Sequence, residues 1–226
     1  MARSKRYQDE KKLVEAKAYQ PAEAITLLKK ISKVKFSPSV EIHIRLNVDP
    51  SQSSQLIRGS VVLPAGTGKE KRVAVFCTPE KEKEAKSAGA DVVGGKELIK
   101  EIKLKKVINF DAAVAEPAMM REIGPIAPIL GPKGLMPNPK TETVTPDIAK
   151  AVKALKGGKV NFRMDDGGNL HQLIGKLSFS ETDLVKNLEA FLEAVNKLKP
   201  AKIKGALVKK AIVKTSMSPA VRINPA

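Results

Sequence analysis

The residues that could support chemistry are few, and their spacing favours structural roles. Residues 65–70, AGTGKE, faintly resemble a phosphate-binding loop, but the GxxxxGK[ST] spacing is missing and Glu70 stands at the hydroxyl position. A hinge is the better interpretation of this segment. His43 and His171 are the only two histidines and Cys77 is the single cysteine, so these side chains do not make up a typical zinc set. We expect no catalytic residue, no metal ion and no cofactor.

Other polar and thiol groups lead to the same expectation. Asp165 and Asp166 are adjacent in a turn-forming sequence, so their side chains should point apart rather than work as an acid/base pair. Cys77 ends the apolar run RVAVFC, which indicates a buried core thiol in a reducing compartment. Residues 1–20 lack the apolar segment of a signal peptide, and no apolar run approaches the ~20 residues that span a bilayer. We therefore expect a cytoplasmic protein with no membrane partner.

Net charge is the strongest bulk property of this 226-residue chain. It carries 41 Lys+Arg against 24 Asp+Glu, a formal net charge of +17. After Glu193, eight basic side chains follow without an acidic one. Such an excess favours polyanionic partners through counterion release. A surface that is basic only for solubility is the alternative, and composition leaves both possibilities open.

One stretch organises the rest of the chain. Between Val40 and Val48, apolar and polar residues alternate without a break, which is typical of a strand with one face against a core. A similar alternation runs through 211–217 near the other end of the chain. We predict that these two segments share a sheet. The first and last parts of the chain would then form one domain, and everything between them would be an insertion.

The middle of the chain has a different pattern. The apolar run at 72–76 indicates a strand buried on both faces, and further short strands are predicted at 90–94 and 110–115, with helices between them. Strands that alternate with helices indicate right-handed parallel crossover units. We predict a Rossmann-like α/β/α domain over 68–157, although no GxGxxG motif supports dinucleotide binding there.

The remaining residues, 1–67 and 158–226, are predicted to form a discontinuous α+β two-layer domain, so the whole chain falls in the α/β class. The turn sequence at 166–169 indicates a hairpin between the strand before it and residues 170–179. Ser180 resembles a helix N-cap, and the stripe that follows it includes Leu198. Other helices are predicted over 5–18, 21–31 and 146–156.

The aromatic content helps to define the polyanion. The chain has no Trp, two Tyr and six Phe, whereas proteins that bind single strands usually need aromatic platforms for base stacking. A basic, aromatic-poor surface suits folded RNA that is recognised by shape, phosphates and ribose hydroxyls. On such a surface Glu41 could accept a hydrogen bond from a ribose 2′-OH, which DNA lacks. A cross-strand ion pair is an equally weighted role for Glu41.

The segment GPKGLMPNP (131–139) closely resembles the signature loop of a universal family, that of large-subunit ribosomal protein number one. These proteins belong to the mobile stalk beside the tRNA exit site. The resemblance covers nearly the whole chain, through VEIHIRLNVDP (40–50), AGADVVGG (88–95), FRMDDGGNLH (162–171) and TSM-P (215–219).

The resemblance implies a two-domain protein whose outer domain binds folded large-subunit ribosomal RNA of the stalk. It implies that stalk motion assists release of deacylated tRNA from the exit site, and that the protein represses translation of its own operon by binding a similar site in its messenger RNA. A monomer off the ribosome and mobility between the two domains are also expected. The implied RNA-binding residues are Lys35, Phe36, Glu41, Ser216, Met217 and Ser218.

Three positions depart from the family pattern. Ser218 stands where the family usually has glycine, so its side chain either points away from the RNA or adds a hydrogen bond. The turn at 51–55 replaces a usually basic one, and Ala65 replaces a frequent histidine beside the hinge. From the residues alone, Phe36 and Met217 would more often be ordinary core side chains. A nucleotide-using enzyme built on the middle domain and a messenger-binding repressor working off the ribosome are the alternative functions.

Overall fold

The computed structural model describes residues 4–52, 55–105, 107–200, 203 and 205–225. Its contacts divide the chain into two compact units. The terminal unit comprises the chain up to Gly68 and from Val160 onward, and the inserted unit is Lys69–Lys159. These boundaries lie one and two residues from the predicted ones at 67/68 and 157/158. Helices and sheets are mixed, as the predicted α/β class requires.

The regular elements follow in chain order. They are α1 (Lys5–Lys12), α2 (Pro21–Ile31), β1 (Ser39–Leu46), β2 (Arg58–Val62), β3 (Val73–Phe76), α3 (Glu82–Ser87), β4 (Val92–Gly94), α4 (Lys96–Lys105), β5 (Ala112–Ala115), α5 (Met120–Ile123), α6 (Ala127–Leu130), α7 (Ile148–Lys156), β6 (Lys159–Arg163), β7 (Asn169–Lys176), α8 (Glu181–Lys197), β8 (Val208–Thr215) and β9 (Val221–Ile223).

The predicted pairing between the two ends of the chain is confirmed. The main sheet of the terminal unit has the strand order β7-β1-β8-β9, with all neighbours antiparallel. Along β1, Ile42 lies opposite Val213 and Ile44 lies opposite Ala211. Because side chains alternate between faces along a strand, this register places the apolar residues of both strands on one face. β1 is therefore a central strand, paired on one side with the last part of the chain.

One face of this sheet is the core face. Ile42 and Ile44 are at most 1% exposed, and α2 and α8 pack over them with fully buried side chains such as Leu28 and Phe191. Pro21 begins α2 at a position where its missing N–H costs no helical hydrogen bond. Ser180 caps α8 as predicted, since its Oγ accepts a hydrogen bond from Asp183 N at 3.1 Å. The opposite face of the sheet, called the uncovered face below, carries polar side chains that are partly or fully exposed, such as those of Glu41, Lys210 and Lys214.

The predicted hairpin between β6 and β7 is wrong. The turn exists, because Asp165 Oδ1 accepts hydrogen bonds from the N–H groups of Gly167 and Asn169. Beyond the turn, however, β6 pairs with β2 in a separate two-stranded sheet, while β7 pairs with β1. Turn chemistry is local and is satisfied here, but β1 offers β7 an antiparallel partner over the whole of its length.

Two helices are shorter than predicted, and one residue predicted for the apolar stripe of α8 lies outside it. α1 ends at Lys12 because the following chain turns to place Tyr19 beside β9, where Tyr19 N donates to Arg222 O at 2.9 Å. α7 starts at Ile148 after the N-cap Asp147, whose side chain accepts from Lys150 N. Leu198 lies past the end of α8 and is 39% exposed, so it does not continue the buried stripe.

The inserted unit has the predicted three-layer arrangement. Its strands form a parallel sheet with the order β4-β3-β5. All four residues of β3 are buried, and two apolar clusters lie on the two sides of the sheet. Cys77 is fully buried at the end of β3, and this burial raises the pKa of its thiol to about 11. The predicted core thiol is confirmed.

The chain leaves the terminal unit through a connector fixed by a buried amide. Asn187 on α8 is fully buried, and its Nδ2 donates to Gly66 O at 2.9 Å and to Ile174 O at 2.8 Å. Its Oδ1 accepts from Ala65 N at 3.0 Å. One side chain thus satisfies backbone groups of the connector and of β7. Ala65 N–H is occupied by this side chain and Gly66 N–H donates to Leu63 O at 2.9 Å, so neither group is available to bind a phosphate.

We predict that Asn187→Ala lowers the free energy of unfolding by about 1–3 kcal/mol, since it leaves buried backbone groups unpaired. Urea unfolding followed by circular dichroism measures this loss. Asn196→Ala, an exposed position on the same helix, is the matched control and should change stability by less than about 0.5 kcal/mol. Equal stabilities of the two variants would contradict the anchoring role.

Candidate nucleic-acid interface

The uncovered face of the main sheet carries the polar residues of its strands. Glu41 and Arg45 of β1 lie opposite Lys214 and Lys210 of β8. Arg222 of β9 lies beside them, opposite Ile212. β1, from the first part of the chain, and β8 and β9, from the last part, therefore contribute side chains to one predominantly cationic surface. This is the surface that strand alternation predicted, and most of its basic residues come from the segment after Glu193 that contains no acidic residue.

Glu41 is an acidic side chain on this cationic surface. Its Oε2 lies 3.7 Å from Lys214 Nζ and 3.5 Å from His43 Nε2, and the side chain is 30% exposed. Both alternatives for Glu41 are thus represented, because a cross-strand cation is present while the carboxylate remains accessible. Exposed ion pairs at such distances contribute little to stability. Both contacts involve Oε2, and a carboxylate has lone pairs beyond those directed at these two neighbours, so a hydroxyl can still donate a hydrogen bond to it.

The two histidines meet across β1 and β7. His43 Nδ1 lies 2.7 Å from His171 Nδ1, so one ring donates a hydrogen bond to the other. His43 Nε2 is buried and makes no hydrogen bond of good geometry to the described residues, although Glu41 Oε2 lies 3.5 Å away. Burial, the His171 ring and Lys214 together lower the pKa of His43, and Glu41 opposes them. His43 is therefore neutral near pH 7 and orders the face rather than adding charge to it.

A tight loop after β8 closes one end of this face. Ser216 N donates to Ser39 O at 3.1 Å, which fastens the loop to the start of β1. Ser218 Oγ accepts from Thr215 N at 2.9 Å and donates to Pro219 O at 3.0 Å. Ser218 is 7% exposed and has no left-handed backbone, so a serine fits here without strain. Of the two alternatives for Ser218, the structure has the side chain directed into the loop.

The remaining predicted site residues project from the same end of the sheet. Met217 is 51% exposed and Phe36 is 55% exposed, so neither fills the core. Lys35 and Ser216 are also exposed. Residues before β1 and after β8 lie together because the two strands are antiparallel and Val40 lies opposite Thr215. The six predicted residues are thus gathered at one end of the β1–β8 pair, five with accessible side chains and Ser218 without one.

Several residues at this surface were not predicted. Arg6 of α1 donates through Nη2 to Met217 O at 3.4 Å, although 211 positions separate them in the chain. Arg45 Nη1 donates to Gly167 O and to Asn169 Oδ1, which joins β1 to the turn before β7. His171 was not assigned to the face. The sequence holds no signal for the Arg6 contact, whereas the exposed position of Arg45 on β1 followed from alternation.

The segment 51–55, which departs from the family pattern, begins with a turn whose hydrogen bonds are local. Asp49 Oδ1 accepts from the backbone N–H and the hydroxyl of Ser51, and these hydrogen bonds lower the pKa of Asp49. Residues 53 and 54 lie outside the described residues. Ala65, the departure beside the connector, is held through its backbone by Asn187. Neither position contributes a basic side chain to the face.

Residues 28–219 match the Ribosomal protein L1p/L10e family. The chain belongs to this family. It is 48% identical over 222 residues to the large ribosomal subunit protein uL1 of Solibacter usitatus, covering 98% of this chain and 94% of the relative. It is 50% identical over 224 residues to uL1 of Saccharopolyspora erythraea, covering 99% and 94%, and 50% identical over 223 residues to uL1 of Kosmotoga olearia, covering 98% and 96%.

Family membership confirms the resemblance that the signature loop indicated. The relatives are named as ribosomal proteins, and the family is structural rather than enzymatic. Within the described ranges, no helix is both long enough and apolar enough to cross a bilayer. The cationic sheet face therefore belongs to a protein of the ribosomal protein L1 family.

We predict that His43→Gln flattens the pH dependence of stability on the acid side of neutrality. The folded-state pKa of His43 lies below its unfolded value of about 6.5, so the unfolded chain binds more protons in the interval between them. The contribution of the neutral His43 to the free energy of unfolding is thus fully present above about pH 6.5 and is lost as the pH falls towards the folded-state pKa. Urea midpoints of both proteins at about pH 7.5 and about pH 5 measure the difference.

Asn47→Gln is the control for this measurement. It changes a neighbouring polar position of the chain just after β1 without changing a titratable group, so it should retain the pH dependence of the parent protein. A His43→Gln protein that loses as much stability between the two pH values as Asn47→Gln would contradict the assignment to His43.

Proposed function

We propose that this protein is a non-enzymatic constituent of the large ribosomal subunit that binds folded ribosomal RNA of the mobile stalk through its terminal unit. The observation that carries the proposal is the exposed loop at Met217 beside Glu41, on a cationic face shared by both chain ends in a member of the ribosomal protein L1 family. The named role of the relatives as large-subunit proteins supports the same assignment and a ribosome-associated, cytoplasmic location.

The proposed contacts divide by chemistry. Lys35 and the basic residues of β8 neutralise phosphates, which supplies affinity without selecting a particular RNA. Phe36 and Met217 make apolar contacts with sugars and base edges. Glu41 and the Ser216 hydroxyl accept or donate hydrogen bonds at ribose 2′-OH groups, which distinguishes RNA from DNA. Ser218 acts indirectly, because its hydroxyl holds the loop that presents Met217.

Two further roles belong to the proposal through the family. We propose that the protein assists release of deacylated tRNA from the exit site as the stalk moves, and that it represses its own operon by binding messenger RNA with a similar fold. The same face would serve the ribosomal and the messenger RNA. Off the ribosome we propose a monomer whose inserted unit is attached through the connector at 63–68.

The nucleotide-using enzyme is the less well supported function. Its best sequence feature is the segment 65–70, and there Ala65 N–H already donates to Asn187 Oδ1 and Gly66 N–H to Leu63 O. A phosphate-binding loop needs free N–H groups directed at the ligand. The proposal of an RNA-binding protein therefore rests on a surface with accessible groups, whereas the enzyme hypothesis rests on a segment whose first two N–H groups are occupied.

We predict that Met217→Ala and Glu41→Ala each weaken binding to stalk ribosomal RNA by about 1–3 kcal/mol, the usual size of a single specific nucleic-acid contact. Glu41→Ala is the sharper test, because removal of a negative charge from a cationic face should strengthen non-specific binding to a polyanion. A weaker complex would therefore identify a specific hydrogen bond. Filter binding or fluorescence titration at fixed salt measures both variants.

Leu104→Ala is the matched control, since Leu104 is 83% exposed in the inserted unit. Its affinity should equal that of the parent protein. If Glu41 forms only an ion pair, Glu41→Ala will bind RNA as tightly as the parent or more tightly. Unchanged affinity for both Met217→Ala and Glu41→Ala would remove the loop and the strand from the interface.

A further inference from the structure

A groove lies at the outer edge of the main sheet, next to β9. It is a cavity of about 440 Å³ between α1, the segment after α1 and the chain around β9. Its lining includes the following residues: Tyr7, Lys11, Val14, Lys17, Pro219 and Arg222. None of the six residues assigned above to the RNA site lines it. Of the basic residues named on the cationic face, Arg222 of β9 is the one that also lines the groove, so the groove adjoins that face at its β9 edge.

Hydrogen bonds of Tyr19 hold two of the lining residues, Glu15 and Arg222, in place. Tyr19 N donates to Arg222 O at 2.9 Å, and Asn224 N donates to Tyr19 O at 3.0 Å, so Tyr19 forms a single-residue parallel bridge with Ile223 of β9. The Tyr19 hydroxyl accepts from Glu15 N at 3.1 Å, which ties down the chain after α1. A shape held by backbone hydrogen bonds is organised before a ligand arrives, which reduces the ordering cost of binding.

The groove combines an apolar floor with a cationic rim. Val14 and Pro219 contribute apolar surface, and Lys11, Lys17 and Arg222 contribute positive charge. Glu15 is the acidic residue of the lining, and it already pairs with Lys17, whose Nζ lies 2.9 Å from Glu15 Oε2. The lining therefore keeps a net positive charge. Apolar surface for a sugar or base next to cations for a phosphate is the chemistry that suits a nucleotide.

The groove is continuous with the loop that presents Met217. Pro219 and Ala220 line the groove and follow Met217 by two and three positions. Arg6 of α1, the helix that lines the groove, also contacts this loop through its hydrogen bond to Met217 O. An RNA strand that contacts Met217 would thus reach the groove within a short distance along the RNA.

We propose that this groove binds a nucleotide of the RNA that flanks the folded element at the Met217 loop. The inference rests on the proposed RNA-binding function and adds a second contact region built by α1 and β9. Lys11 and Arg222 contact the phosphate, and the apolar floor contacts the sugar or base. α1 would then extend the interface rather than serve only as a surface helix.

The test uses the full chain and a stalk fragment of large-subunit ribosomal RNA that retains its flanking nucleotides. In the double variant Lys11→Gln/Arg222→Gln, affinity should fall about tenfold, and the slope of log K against log salt should become shallower by about one to two phosphates. In hydroxyl-radical footprinting, this variant should lose protection only at the nucleotides that flank the folded element, and should keep the protection of the folded element itself. Both replaced side chains are exposed, so thermal unfolding should stay as in the parent protein.

The control Lys12→Gln/Lys197→Gln removes the same charge from two exposed positions that do not line the groove. Equal affinities and identical footprints of the two double variants would overturn the groove while Met217→Ala still weakens binding. If Met217→Ala also binds RNA like the parent protein, the proposed function and the groove fail together. A footprint lost only in the groove variant supports the inference.

Discussion

The antiparallel pairing of β1 with β8 is the constraint on which the terminal unit depends. It joins residues 39–46 to residues 208–215, so a strand from each end of the chain lies at the centre of one sheet. The cost of closing so long a loop grows only slowly with its length. The inserted unit can therefore occupy the loop without preventing the pairing. Its strands form a sheet of their own, with an apolar cluster on each side.

The same pairing decides the character of the exposed face. Because Ile42 opposite Val213 must face α2 and α8, Glu41 opposite Lys214 must face outward. A shift of one residue would exchange the two faces, so burial of the core specifies the arrangement of the polar surface. The loop at Met217 is then fastened to the start of β1 by the Ser216–Ser39 hydrogen bond. Core packing thus positions the exposed polar side chains and the Met217 loop, although none of them is part of the core.

The sequence predicts features that depend on local period and misses those that depend on distant partners. The alternation at 40–48 gave the faces of β1, and the buried run at 72–76 gave the inserted sheet. Turn residues at 166–169 gave a turn but not the partner of β7, which β1 determines. Asn187 lies within an apolar stripe, and nothing local indicates that it holds a connector over 120 positions away. The exposure of Phe36 and Met217 likewise required the structure, since both are usual core residues.

The most direct test of the shared face is the spectrum of isotope-labelled methionine methyl groups, recorded with and without stalk ribosomal RNA. Met217 lies on the loop between β8 and β9, which is hydrogen-bonded to the start of β1, while Met119 and Met136 belong to the inserted unit. Addition of RNA should shift the Met217 resonance and leave those of Met119 and Met136 in place. Shifts at Met119 and Met136 with an unchanged Met217 would contradict an RNA interface built where the chain ends pair.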